Sequence, residues 1–346
     1  MVNVGIIGAT GYTGEELMRL LSKHPEANLR YAVSKTFQGK DIAEVYPNFL
    51  GTRETVLQGL DIKRIAQECE TVFLCLPHGQ AIELVPELLG RGLRVIDLSG
   101  DFRYDDPDTY EAWYGVTHTA KDTLQNAVYG LPEYFREDIK HAQLLANPGC
   151  YTTTSILAIA PLLKNGLIDE NGLVIDAKSG VSGAGRKDGL AYAFSETADN
   201  FKAYSVTNHR HTSEIEEQLS KLCQKEVTLL FTPHLLPVKR GILATVYAQL
   251  RPGISEDMIA AAYKNAYREE PFAHVLGAGK LPELKYVVGS NNCMIGFDTS
   301  ERTGRAVVVA CIDNLVKGAA GQAIQNFNIM HGFEEKTGLP DVGWYL

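Results

Sequence analysis

Cys150 stands in Asn147-Pro148-Gly149-Cys150-Tyr151-Thr152-Thr153-Thr154, between a short apolar run and the apolar stretch 156–163. Pro148 and Gly149 close that run and open a helix, which predicts the sulfur at the first helical turn, where the positive end of the dipole favours a thiolate. A thiolate there is a nucleophile. The alternative is a small packed apolar group, which is how Cys75 reads within Phe73-Leu74-Cys75-Leu76. A thiol nucleophile needs a base, and Asn208-His209-Arg210-His211-Thr212-Ser213-Glu214 offers two imidazoles, His209 and His211, in a polar turn. A helical pattern follows over 215–222, and Thr212 or Ser213 is expected to cap it. Packing or surface histidines would look the same. A metal would need a third His or Cys ligand at suitable spacing, which is missing here.

Two basic segments could hold an anion. Arg103, in Leu98-Ser99-Gly100-Asp101-Phe102-Arg103, follows an apolar run, and Arg240, in Pro237-Val238-Lys239-Arg240-Gly241, precedes one. Arginine grips phosphate or carboxylate through two parallel hydrogen bonds, whereas a solvated strand-end charge is the competing reading, and the better one for Lys239. Asn147 and Glu214, beside the thiol and the histidines, complete the candidate substrate contacts.

A nucleotide site is expected at the N-terminus. Gly8-Ala9-Thr10-Gly11-Tyr12-Thr13-Gly14 follows the first apolar run and opens an amphipathic stretch, the context of a dinucleotide-binding turn. Its spacing is GxxGxxG, so an ordinary glycine-rich turn stays open as the alternative. Residues 27–40 contain no Asp or Glu to bond a ribose 2′-hydroxyl, while Ser34 and Lys35 follow the second run directly. That pair suits a 2′-phosphate and points to NADP(H), unless Lys35 is only a solvated loop charge. Ser182 and Gly183, in Ser179-Gly180-Val181-Ser182-Gly183-Ala184-Gly185, could pass close to a nicotinamide or form a plain loop.

The elements that must position these groups read as α/β. Residues 1–148 alternate short β-branched runs with helical stretches, which predicts an N-terminal Rossmann-type doubly wound sheet. Beyond 148 the runs lengthen and alternate in polarity, as over 241–250, which predicts a C-terminal α+β substrate and dimerisation domain. The helical pattern over 314–330 is expected to return to the first domain, giving 1–148 plus 314–346 for cofactor and 149–313 for catalysis and self-association. With 346 residues there is room for two such domains.

Composition narrows the partners. A net charge of −9 offers no basic surface to nucleic acid. No apolar run approaches the ~20 residues that span a bilayer, and the N-terminus lacks a basic leader, so no membrane or export is expected. Six cysteines without a CxxC pair fit reduced thiols in the cytoplasm.

GATGYTG, SGDFR, NPGCY, SGVSGAG and NHRH occur together in one chain. The combination resembles the N-acetyl-γ-glutamyl-phosphate reductases of arginine biosynthesis, which are similar in fold to aspartate-semialdehyde dehydrogenase. The resemblance spans the chain. It implies Cys150 as acyl-accepting nucleophile, His211 as acid/base with His209 near the substrate or exchanging roles with it, and Arg103 on the phosphate. It further implies NADPH-dependent reduction of an acyl phosphate with release of inorganic phosphate, by a homodimer or homotetramer. Thr152 and Thr154 depart from the small residues or Pro usual after the cysteine, which leaves room for a related acyl phosphate such as α-aminoadipyl phosphate as substrate; aspartyl phosphate is a separate alternative. A non-catalytic NADP-binding regulator is the reading from another class.

Overall fold

The computed structural model describes residues 1–186 and 188–346. Its chain divides into two compact units, Met1–Pro148 with Ala319–Leu339, and Gly149–Gly318 with Pro340–Leu346.

The first unit holds β1 (Val2–Ile7), β2 (Ala27–Val33), β3 (Thr71–Leu74), β4 (Arg94–Asp97), β5 (Val128–Tyr129) and β6 (Leu144–Ala146) in one parallel sheet of order β2-β1-β3-β4-β6-β5. Successive side chains on a strand point to opposite faces. Ile6, Phe73, Ile96 and Leu145 accordingly enter one core, with the helices Tyr12–Leu21, Pro132–His141 and Gly321–Met330. Ile7, Val72, Leu74, Val95 and Leu144 enter the other, with the helices Ile62–Glu68 and Ala81–Gly90. Burial on both faces is why these strands read as unbroken apolar runs, and the sheet is doubly wound as expected. The strand order reverses at β1. Ligands of such sheets bind outside the carboxyl ends of the strands at that reversal, and the turn Gly8–Gly14 lies there.

The second unit holds β7 (Leu173–Gly180), β8 (Lys202–Ala203), β9 (Leu229–Leu236), β10 (Ile242–Gln249), β11 (Ala273–Ala278), β12 (Cys293–Ser300) and β13 (Arg305–Ile312). They form one mixed sheet of order β11-β12-β13-β10-β7-β9-β8. Alternate residues such as Ile175, Ala177, Ala244 and Val246 are buried, beneath the helices Cys150–Lys164, His211–Cys223 and Glu256–Tyr267. Val174, Asp176, Lys178, Leu243, Thr245 and Tyr247 line the opposite, partly exposed face. That two-faced burial is the source of the alternating polarity. The helix Cys150–Lys164 buries every residue from Tyr151 to Leu163, so it is enclosed on all sides, with Thr152 to Ser155 polar in its first turns and an apolar run from Ile156 onward.

The boundary expected at 314 falls at Ala319, and the last seven residues do not stay with the first unit. Asn314 is tied into the second unit, accepting from Gly241 N (2.7 Å) and donating to Ser182 Oγ (2.9 Å). The tail beyond Leu339 docks there too, through Asn291 N to Pro340 O and Trp344 N to Val288 O.

Candidate active site

In the first unit the nucleotide turn has the geometry that backbone recognition of phosphate needs. Gly8 sits at φ +93°, and a Cβ on Gly14 would strike the Gly8 carbonyl and the Ala9 backbone. Gly11 opens the helix Tyr12–Leu21 with no side-chain cap, so its first amides are presented to a ligand. These are the features a dinucleotide pyrophosphate requires, and the residues fit it. Thr10 is fixed from two sides, by Ser34 Oγ at 2.9 Å from its hydroxyl and by Tyr46, which donates to its carbonyl (2.8 Å). Thr13 is half-buried and Tyr12 exposed. Ser34 is buried and also accepts from Phe37 N (3.3 Å), which fixes the loop, while Lys35 beside it is exposed. A Gly14→Ala substitution is expected to force the turn open at a cost of about 1–3 kcal/mol. Titration with NADPH should show that cost as weaker binding, with Cys150 alkylation unchanged.

Arg103 lies in the same unit, buried, and donates to the Leu98 carbonyl (3.0 Å). The loop that carries it is built on acids. Asp101 accepts from Gly79 N, Ala81 N and Tyr110 Oη at 2.8–3.0 Å, joining the turn after β3 to the one after β4. Asp97 accepts from Ser99 N and Oγ, and burial followed by the charge of Asp101 pushes its carboxyl up to about 7. Asn147 is held within a polar network of the first unit. Its amide donates to Ala319 O (3.2 Å), and its oxygen accepts from Asn326 (3.2 Å). It is buried because this polar network takes its hydrogen-bonding groups.

In the second unit Cys150 is the first residue of its helix, half-buried, with Gly149 as an N-cap that lends no side chain and no acidic residue in the first turn. The dipole of that helix acts on the thiol, and one carboxylate from elsewhere in the chain, Glu214, also reaches this helix start. Glu214 is fully buried; it accepts from Gly149 N (3.0 Å) and lies 2.9 Å from Thr152 Oγ1, so it holds the chain that enters the thiol's helix. Thr152 also reaches the Gly149 carbonyl and Thr154 donates to the Cys150 carbonyl (2.9 Å), so both threonines brace this turn. Gly318 packs directly behind, since a Cβ there would come within 2.7 Å of Cys150 Cβ.

Tyr151 joins the thiol to the histidines. Its ring lies edge-on to His209 (5.7 Å) and His211 (5.9 Å), and the two imidazoles are 4.8 Å apart. His211 N donates to His209 Nδ1 (3.2 Å), so the proton of a neutral His209 resides on Nε2. Burial, then Arg210, lowers His209 to about 4 and keeps it neutral at ordinary pH. His211 begins the helix His211–Cys223, and Arg210 precedes it already helical. Thr212 and Ser213 are therefore inside the helix and do not cap it; Ser213 instead donates back to the Arg210 carbonyl (3.0 Å). Tyr204 donates to Tyr151 Oη (3.1 Å), and Tyr151 donates to the His234 carbonyl (3.2 Å). Burial raises both phenols, Tyr204 to about 12, so they stay neutral.

The loop with Ser182 and Gly183 and the turn with Arg240 come together, through Val181 N to Val238 O (2.9 Å) and Ser182 N to Lys239 O (3.1 Å). Asn314 bonds both segments, a residue that sequence reasoning passed over. The Cys75 thiol is pushed up by burial and then by Asp97, which disfavours its thiolate. Among the described residues no cluster of three His, Cys, Asp or Glu could hold a metal, and no helix is long and apolar enough to cross a membrane.

A doubly wound nucleotide sheet followed by a mixed sheet bearing a helix-start cysteine defines the semialdehyde dehydrogenase class. The NAD binding domain of that class matches residues 3–142, and its dimerisation domain matches 150–314. The chain is 52% identical to the N-acetyl-gamma-glutamyl-phosphate reductase of Acetivibrio thermocellus, over 100% of both chains, and 53% identical to that of Pelotomaculum thermopropionicum, over 99% of both. It belongs to the N-acetyl-gamma-glutamyl-phosphate reductase family. Aspartate semialdehyde dehydrogenase II of Vibrio cholerae shares the fold at TM-score 0.73 and 17% identity, over 96% of this chain and 98% of that one.

Proposed function

We propose that Cys150 is the nucleophile and His211 the acid/base in NADPH-dependent reduction of N-acetyl-L-glutamyl 5-phosphate to N-acetyl-L-glutamate 5-semialdehyde and phosphate, a step of arginine biosynthesis. The observation that carries the reading is a cysteine at an uncapped helix start whose neighbour, Tyr151, packs against both imidazoles. His211 takes the thiol proton, the sulfur attacks the acyl carbon, and the carbon–oxygen bond to phosphate breaks as that proton passes to the leaving group. A thioester on Cys150 results. NADPH, when bound, supplies the hydride that reduces it. First-turn amides of the helix stabilise the tetrahedral oxyanion, and its collapse breaks the carbon–sulfur bond, releasing aldehyde and restoring the thiolate. His209, neutral and fixed through Nδ1, orients the His211 backbone and offers Nε2–H to the substrate.

Arg103 is assigned the phosphate and Arg240 the substrate carboxylate, each by the two-bond grip of a guanidinium. Ser182 and Gly183 are assigned to the nicotinamide side of the cofactor, and Gly8, Thr10, Gly11, Tyr12, Thr13, Gly14, Ser34 and Lys35 to its pyrophosphate and 2′-phosphate side. A homodimer or homotetramer formed through the uncovered face of the second sheet, in the cytoplasm, accords with the half-exposed apolar Val174, Leu243 and Tyr247 and with six cysteines outside any disulfide.

The reverse reaction with NADP, phosphate and N-acetylglutamate semialdehyde tests this. Turnover is expected, and activity with aspartate semialdehyde but none with the N-acetylated aldehyde would refute the assignment. In the same assay Arg103→Leu should raise the KM for phosphate by about tenfold or more, with the KM for NADP unchanged. Equal effects on both would remove Arg103 from the phosphate.

A further inference from the structure

The last residues of the chain build a support for Arg240. Pro340 O accepts from Asn291 N (2.8 Å), Asp341 O from Asn292 Nδ2 (2.7 Å), and Trp344 N donates to Val288 O (2.9 Å), so the tail is bonded along its length to the segment 288–292. Tyr345 stacks on Tyr286 with centroids 5.9 Å apart, and Lys285 Nζ lies 4.9 Å from its ring. These contacts bring the Trp344 ring to the Arg240 guanidinium at 5.6 Å, a cation–π distance.

The other support is Asp313, which is fully buried. One of its oxygens lies 3.5 Å from Arg240 Nε and accepts from Gly289 N (2.8 Å). Gly289 is at φ +86°, and a Cβ on it would strike the Trp344 ring. The position that lets the tryptophan approach is thus bonded to the acid that faces the same guanidinium. Trp344 remains 58% exposed, so burial of its own surface does not account for so many contacts.

We propose that Trp344 is a positioning residue that orders Arg240, between its ring and Asp313, for the carboxylate of the acyl substrate. The inference rests on the reading of Arg240 as a substrate ligand. An arginine held in one rotamer before binding loses less conformational freedom when the anion arrives, so the benefit falls on substrate affinity.

The test is the reverse reaction with Trp344→Ala, Trp344→Phe, Arg240→Ala and the Trp344→Ala/Arg240→Ala pair. Trp344→Ala should raise the KM for N-acetylglutamate semialdehyde about tenfold, leaving kcat and the KM values for phosphate and NADP unchanged. Trp344→Phe, which keeps a ring face, should recover most of the loss, and the pair should be no worse than Arg240→Ala alone. A normal aldehyde KM in Trp344→Ala, beside a raised one in Arg240→Ala, would overturn the role of the tail. So would additive losses in the pair, or a general fall in kcat and thermal stability that Trp344→Phe does not repair. A raised KM for phosphate instead would overturn the carboxylate as the ligand. No effect of Arg240→Ala on either substrate would remove the arginine itself from the site, and the proposal with it.

Discussion

Cys150→Ser is expected to lower acyl-phosphate reduction by about 10⁴-fold or more while the fold and NADPH binding persist. The helix start favours a nearby anion by about 0.3–1 kcal/mol, enough to help ionise a thiol and far too little to ionise a hydroxyl. Cys150 is only half-buried, and Thr152 and Thr154 brace the turn through their own hydroxyls, so one sulfur-to-oxygen exchange leaves the local structure in place. Mass spectrometry after mixing with acyl phosphate in the absence of NADPH should find the acyl adduct on the wild type and none on the variant. Undiminished turnover by Cys150→Ser would refute the thioester route.

The second large effect is expected at Glu214. Its carboxylate is fully buried and takes the Gly149 N–H just before the thiol. Alanine would leave that buried donor without its acceptor and open a void beside Thr152, which together cost about 2–5 kcal/mol. Urea unfolding should read that loss directly. Turnover should fall as well, because the residue entering the helix loses its anchor. Glutamine keeps an acceptor oxygen and should recover most of the stability. A Glu214→Ala protein of normal stability with only a raised substrate KM would return this residue to the substrate.

The local chemistry of the site was readable along the chain. Pro148-Gly149 ahead of an apolar stretch placed Cys150 at a helix start, and glycines after β1 placed the nucleotide turn, because both depend on backbone preferences of neighbouring residues. Burial was not readable. Asn147 and Glu214 were polar residues beside reactive ones and so read as ligands, yet long-range partners, Asn326 and Ala319 for one and Gly149 and Thr152 for the other, enclose them. Thr212 and Ser213 have the chemistry of caps, but His209 and Arg210 already turn into the helix and leave no cap position for them. Asn314 and Gly318 lay in a stretch with helical periodicity and Asp313 just before it, which concealed that the segment runs behind Cys150 and under Arg240. The tail 340–346 has no periodicity at all, and only its partners reveal a function.

Neither compact unit is one continuous stretch. The helix Gly321–Met330, every residue of it buried, completes the first unit, and the second takes its last residues from 340–346. On the ribosome, residues 1–148 therefore emerge without one of the three helices that pack on one face of their sheet, and that face waits until residues 321–330 have followed. Co-translational folding, which suits proteins whose domains follow one another like beads, can only begin here, and part of an apolar sheet face stays open until that last helix arrives.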